Sequence, residues 1–196
     1  MLEILKFLPL TFIPLFVAID IFGILPIFTS ITVDMSDSQK KIIIRQSTIT
    51  ALIVSMVFVA LGEGVFRILG ITVDDFKIAG GLVLLVLAII ELIKPSGDRR
   101  KPQDTVGVVP IGVPLIVGPA VLTTLIVLID HYGVAPTVIS LVLNLLIVWI
   151  ALMGAKEITR LIGKNGILAI SKVMALLLAA IAVMMIRIGL ENLIRV

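Results

Sequence analysis

Cysteine is absent from the chain, histidine occurs once, at His131, and charged residues make up only 15% of the sequence. Without thiols, neither a disulfide nor a thiolate metal site can form. His131 has no serine, cysteine or paired-carboxylate motif near it, so no triad and no zinc site can be assembled around it. A Walker-type glycine loop is also missing, which leaves nothing for ATP hydrolysis within this chain. The expectation is a protein that is not an enzyme, with no metal and no resident cofactor. Scarcity of charge has its counterpart in a hydrophobic content of 60% and a mean hydropathy of +1.26. No soluble domain of 196 residues needs so much apolar surface.

The charges fall at intervals and leave six oily blocks, near residues 7–30, 42–66, 77–94, 108–130, 134–155 and 168–191. Each is close to the roughly 20 residues that cross about 30 Å of hydrocarbon as a helix. The partner implied is a lipid bilayer, and little chain is left for a soluble domain. The first block is too long and too interrupted for a cleaved signal peptide and follows no basic leader, so it reads as a mature span. Eleven of the sixteen Lys and Arg lie on the side shared by loops 1–2, 3–4 and 5–6. By the positive-inside bias that side is cytoplasmic, and both termini lie outside the cell membrane. These basic clusters are short, split among loops and mixed with Asp34, Asp37, Asp98 and Asp104, a poor match to nucleic acid.

Along the chain, Asp34 or Ser36 can cap the second helix. The hydroxyls Ser47, Thr48, Thr50 and Ser55 of span 2 read mostly as helix contacts. In span 3 the small trio Ala79, Gly80 and Gly81 lets another backbone come close. Only thirteen residues separate Lys77 from Glu91, and fourteen separate Lys172 from Arg187. The expectation is that these flanking side chains snorkel to the interface, with a crossing through a locally thinned or protein-lined region as the alternative. Residues 95–107 read as a flexible cytoplasmic linker. It divides the chain into halves at 1–94 and 108–196.

The halves share three anchors in the same order: I-P-L-F-V-A from Ile13 against V-P-L-I-V-G from Val113, R-I-L-G from Arg67 against R-L-I-G from Arg160, and F-K-I-A with Lys77 against S-K-V-M with Lys172. A duplicated unit of three helices is odd-numbered, so its second copy enters the membrane from the opposite side. The fold class expected is therefore an all-α polytopic membrane protein, six transmembrane helices arranged as two inverted three-helix repeats with helices 1 and 4 interrupted. The interruptions are Pro14, Gly23 and Pro26 in the first span and Pro110, Pro114, Gly118 and Pro119 in the fourth. In lipid each freed backbone group costs several kcal/mol unless protein or cavity water satisfies it, so such breaks mark backbone that lines a site.

Asp20 is the one carboxylate deep in a span, thirteen residues into the first. A charge at that depth should face a cavity, hold a proton or pair with a donor. It is the candidate ion-coupling residue, for a proton or a sodium gradient, with a structural aspartate bonded across the break as the alternative. Half-helix ends at Gly23, Pro26, Gly118 and Pro119 would offer amides to a carboxylate and carbonyls to a cation, the two ends of a zwitterion. Thr123, Thr124 and Asn144 are candidates for further hydrogen bonds to a substrate, or for plain helix contacts.

D-I-F-G-I-L-P-I-F from Asp20 to Phe28, F-K-I-A-G-G from Phe76 to Gly81 and V-P-L-I-V-G-P-A-V-L-T-T from Val113 to Thr124 together resemble the MarC family of bacterial and archaeal integral membrane proteins, also called the SnatA or small neutral amino acid transporter family. The likeness spans essentially the whole chain. Members usually carry D-P-x-G-x-x-P-x-F in the first motif, where Ile21 here replaces the proline, and G-P-G-A in the second, where this chain has Gly118, Pro119, Ala120 and Val121. The resemblance implies transport of glycine, alanine and similar small neutral amino acids, coupled to an ion gradient. An exporter of another small metabolite, a channel and a non-transporting scaffold are the competing readings.

Overall fold

The computed structural model describes residues 2–93 and 116–194. Their regular structure is entirely helical: α1 (Leu2–Ile19), α2 (Ile21–Ile31), α3 (Asp37–Leu69), α4 (Val73–Ile93), α5 (Pro119–Tyr132), α6 (Val134–Met153) and α7 (Ala155–Ile194). The expected linker at 95–107, and the opening of span 4 with Pro110 and Pro114, lie outside the described residues. Five stretches are long and apolar enough to cross a membrane: Lys6–Thr29, Asp37–Leu61, Val73–Ile93, Val134–Met153 and Asn165–Ile194. The fourth expected span is represented by α5, whose 14 residues reach about 21 Å. That is too short to cross alone.

Exposed side chains agree with a lipid solvent. Ile53, Val57, Leu82, Val86, Ile150 and Val183 are each at least 50% exposed, and they sit on four different helices. Water would not tolerate apolar surface spread so widely. Inside, Leu15, Leu84, Leu125 and Leu141 are fully buried.

The helices start and stop for local reasons. At the start of α3 the Ser36 hydroxyl accepts from Gln39 N at 3.4 Å while Ser36 N donates to Gln39 Oε1 at 2.9 Å, a reciprocal capping box. Thr72 and Asp75 repeat the device at α4, with Asp75 N to Thr72 Oγ1 at 3.0 Å and Thr72 N to Asp75 Oδ2 at 2.9 Å. Gly70 ends α3 at φ 67°. Gly163, at φ 74° and ψ 159°, kinks α7 and separates its first turns from the long apolar remainder. Both glycines hold a left-handed φ that a side chain would resist.

Packing is closest between α4 and α7. A Cβ added at Gly81 would lie 2.8 Å from the Ala182 carbonyl oxygen, and one at Gly189 would lie 2.9 Å from that of Asp74. The two backbones touch because these positions are glycine. On the other side of the bundle, α1 meets α6 through polar groups. Thr11 Oγ1 and Ser140 Oγ are 2.6 Å apart, and Asn144 Nδ2 donates to the Phe12 carbonyl at 3.2 Å. In addition α2 packs on α7, α5 on α4, and α1 on α5.

Lys77 departs from the expected snorkelling. Only 3% exposed, its ammonium lies 2.8 Å from Asp74 and 2.8 Å from Asp130, while Asn192 donates to Asp74 at 2.9 Å. The start of α4 is thereby tied to the ends of α5 and α7. Lys172 does not snorkel either: its ammonium donates to the last carbonyls of α4, those of Glu91 and of Leu92, the latter at 2.9 Å. Carbonyls at a helix C-terminus have no partner within the helix and attract a cation, so these contacts compete well against water.

Two changes test this account. Gly81→Leu should force α4 off α7 at a cost of at least about 1–3 kcal/mol, lowering the thermal midpoint in detergent, whereas Leu82→Ala on the lipid face should leave it nearly unchanged. Lys77→Met should destabilise by about 1–2 kcal/mol, discounted for the partial exposure of its partners, because two carboxylates are left facing each other. Adding Asp74→Asn and Asp130→Asn should then restore most of the midpoint.

Candidate functional site

Span 1 breaks at Asp20 itself. With φ 47° and ψ 60°, Asp20 is the one non-glycine residue at positive φ among the described residues. Asparagine and aspartate tolerate this conformation because a short polar side chain can bond locally. Here Asp20 Oδ1 accepts from Gly23 N at 3.2 Å, and the Asp20 carbonyl accepts from Gly23 N at 2.9 Å and Ile24 N at 3.1 Å. The residue thus caps α2 with its side chain and its backbone together. Gly23 makes room for this: a Cβ there would lie 2.2 Å from Asp20 Oδ2. Ser171 on α7, fully buried, points its hydroxyl at Asp20 Oδ1 from 3.5 Å, at the limit of hydrogen bonding.

The expected breaks at Pro14 and Pro26 of span 1 are corrected here. Pro9 and Pro14 lie inside α1 and Pro26 lies inside α2. Each removes one donor from its helix, which membrane helices absorb through neighbours and small adjustments. A left-handed residue, in contrast, ends the helix outright.

The second half-helix, α5, begins differently. Gly118 is extended, at φ −96° and ψ −177°, Pro119 follows at the first helical position, and among the described residues no side chain caps the end. Proline has no N–H, so the amides of Ala120 and Val121 are left without partners inside the helix. This end carries the positive pole of the helix.

Both half-helix starts border one cavity of about 270 Å³. Asp20 and Gly23 line it from α2, Gly118, Pro119 and Ala120 from α5, Glu91 from α4 and Ala175 from α7. The remaining wall is apolar, with Val17, Leu87 and Leu178 among its members. The volume lies below the roughly 300–1,000 Å³ of pockets for drug-sized ligands. It suits a small solute with two charged ends: a carboxylate at the bare start of α5 and a cation at Asp20.

Four of the sequence-predicted residues, Asp20, Gly23, Gly118 and Pro119, meet at this cavity. The other four are placed elsewhere. Pro26 sits within α2, away from the cavity lining. Thr123 is pressed against α4, where a Cβ at Gly80 would lie 1.9 Å from its methyl group. Thr124 returns its hydroxyl to the Ala120 carbonyl at 2.8 Å and borders a separate cavity of about 90 Å³. Asn144 joins α6 to α1, donating to the carbonyls of Phe12 and of Ser140, the latter at 2.9 Å.

Glu91 and Ser171 are site residues that the sequence reading did not single out. Glu91 stood there only as a flank to span 3, and Ser171 carried no signal of its own beyond preceding Lys172. Packing between helices far apart in sequence brings Glu91 to the same cavity and Ser171 to Asp20.

Residues 5–194 match the description "MarC family integral membrane protein". A UPF0056 membrane protein of Methanocaldococcus jannaschii is 33% identical over 207 aligned positions, which cover 98% of this chain and 90% of that protein. The UPF0056 inner membrane protein YhgN of Escherichia coli is 30% identical over 186, covering 90% and 92% respectively. A UPF0056 membrane protein of Pyrococcus abyssi is 29% identical over 98% of both chains. No solved structure matches. With a family match over nearly all of its length and relatives this similar across the bacteria and archaea, the chain belongs to the MarC family of integral membrane proteins.

Proposed function

We propose that this chain is a secondary transporter of small neutral amino acids of the glycine and alanine class, coupled to a proton or sodium gradient and working by alternating access. The observation that carries the reading is the meeting of Asp20 with the uncapped start of α5 in one small cavity. A zwitterion of two or three carbons places its charges close together. Asp20 and the last carbonyls of α1 take the ammonium, and the amides of α5 take the carboxylate. The limited volume excludes longer side chains.

An inverted repeat completes this picture, and its support is the exchange of partners. The second half of span 1, α2, packs on α7, while the second half of span 4, α5, packs on α4. Gly70 and Gly163, which share the R-x-x-G anchor, both sit at positive φ after a helix. Lys77 and Lys172, the third anchor, each bind the partner half near the opposite end of the α4–α7 pair. Six spans follow, with α5 as the second part of the fourth.

Access follows from depth. Glu91, which lines the cavity, is fourteen residues along α4 from Lys77, or about 21 Å. Between them lies an apolar layer that includes Leu125, Leu128 and Met185. The arrangement fits a carrier closed at the Lys77 end, with its site nearer the other. By the charge bias the closed end faces outward and both termini lie outside. The relative named an inner membrane protein supports the same compartment.

Purified protein in liposomes should accumulate labelled glycine or alanine when a proton or sodium gradient is imposed, and exchange it without one. Flux without counterflow would indicate a channel, and no flux of either amino acid would end the proposal. Asp20→Asn keeps a capping oxygen but removes the charge that meets the ammonium, so it should abolish gradient-driven accumulation and weaken exchange. Undiminished accumulation by that variant would remove Asp20 from coupling. Glycinamide, which lacks the carboxylate, should compete at least roughly tenfold worse than glycine, since a charge-assisted hydrogen bond is worth about 1.5–3 kcal/mol.

A further inference from the structure

A second cavity, of about 250 Å³, lies between the end of α2, the start of α3 and the α6–α7 junction. Its floor is apolar and buried, formed by Phe28, Ile44 and Leu152. Around the rim stand Lys40, Lys41 and Lys156, together with Asp37 and Glu157. The two carboxylates have a local reason to be there: each occupies the first turn of its helix, Asp37 in α3 and Glu157 in α7, where the positive pole favours an acid. The three lysines stand among them, Lys156 in the first turn of α7 and Lys40 and Lys41 one turn into α3, on the face that the charge bias makes cytoplasmic, and none of them forms an ion pair with a described residue.

Three cations against two carboxylates leave the rim of a preformed cavity with one net positive charge, which a bound anion would offset. Its position narrows the class. The rim lies where α6 ends at Met153 and α3 begins at Asp37, the level at which an apolar span gives way to headgroups. Met153 is 45% exposed beside it, so the apolar floor continues onto the lipid-facing surface. A free phosphate ion would have no use for such a floor, whereas a glycerophospholipid presents a phosphate and an acyl chain side by side. The rim threonines do not act as donors to the ligand, because Thr29 and Thr32 return their hydroxyl hydrogens to the carbonyls of Leu25 and Phe28 at 2.9 and 2.8 Å. Recognition falls to the lysines.

We propose that this cavity is a binding site for the phosphate of a membrane phospholipid, held by Lys40, Lys41 and Lys156, with the glycerol end of its acyl chains against Phe28, Leu152 and Met153. The site is separate from the Asp20 cavity and does not depend on what that cavity carries. A lipid here clamps the loop after α2 to the α6–α7 junction, joining the two halves of the chain on the lysine-rich face.

The test uses the full chain, delipidated in nonionic detergent, and the triple variant K40Q/K41Q/K156Q. Native mass spectrometry should show the parent retaining one phosphatidylglycerol and not the diacylglycerol with the same acyl chains. The variant should bind that lipid on the order of a hundredfold more weakly, each lysine near a headgroup contributing about 1 kcal/mol. Equal retention by parent and variant, or equal retention of diacylglycerol, overturns the proposal. Release of the lipid by millimolar inorganic phosphate assigns the site to a soluble anion and overturns the lipid. Thermal stability separates misfolding from lost binding: without lipid the variant should melt at or above the parent, since its change removes repulsion, and only the parent should gain stability from phosphatidylglycerol. A variant that melts well below the parent without lipid would show that the lysines hold the fold rather than a ligand.

Discussion

A helix that begins inside an apolar bundle leaves amides that lipid cannot solvate, and two helices of this chain, α2 and α5, begin beside one cavity within it. Everything around the Asp20 cavity can be understood as the consequence. At the first break the satisfaction is internal, because Asp20 turns left-handed and folds its carboxylate over the first turn of α2. At the second it is incomplete, because Gly118 and Pro119 bring no capping side chain. The asymmetry matters chemically. One start already holds an anion of the chain's own, while the other has none from a described side chain.

Neither half-helix could keep its place without close neighbours. The chain supplies them by putting small residues where backbones must meet: Gly81 and Gly189 between α4 and α7, Gly80 beneath Thr123. In a bilayer there is no hydrophobic force between helices, so contact area won by small residues replaces it. The polar contacts of α1 with α6 add to this, at an average of about 0.6 kcal/mol for such bonds. The α4–α7 pair is therefore the stiff centre, and the half-helices α2 and α5 rest on opposite members of it.

Much of this was legible in the residues. Five of the six expected spans could be read from charge spacing, because lipid-facing surface forbids charge, and Asp20 stood out as the carboxylate in an apolar run. The glycines of the R-x-x-G anchors, Gly70 and Gly163, both hold a positive φ. Other features were hidden for physical reasons. Prolines looked like the breakers, yet a proline removes one donor and leaves the helix able to continue around it, as Pro14 and Pro26 do. Which way Thr123, Thr124 and Asn144 point depends on the rotation of their helices, and rotation is set by neighbours far away in sequence. Lys77 looked like a snorkelling flank because its partner Asp130 is fifty-three residues away. Glu91 reaches the cavity and Ser171 reaches Asp20 only through contacts between helices far apart in sequence.

The polar groups sort into three levels along the bundle, and the sorting explains which hydroxyls became ligands to their own helices. Lys77 with Asp74, Asp130 and Asn192 forms one level, the Asp20 cavity a second, and the lysine rim at α3 and α7 a third. Each level joins elements from both halves of the chain. Between the first and the second lies the apolar layer of Leu125, Leu128 and Met185, and Thr124, which falls in it, satisfies its hydroxyl on the Ala120 carbonyl one turn back. A hydroxyl in such a layer has no better choice, since any other partner would have to cross hydrocarbon. At the level of the cavity the choice exists, and there Ser171 turns toward Asp20. Depth in the bundle, more than residue type, decides whether a polar side chain holds the fold or faces a site.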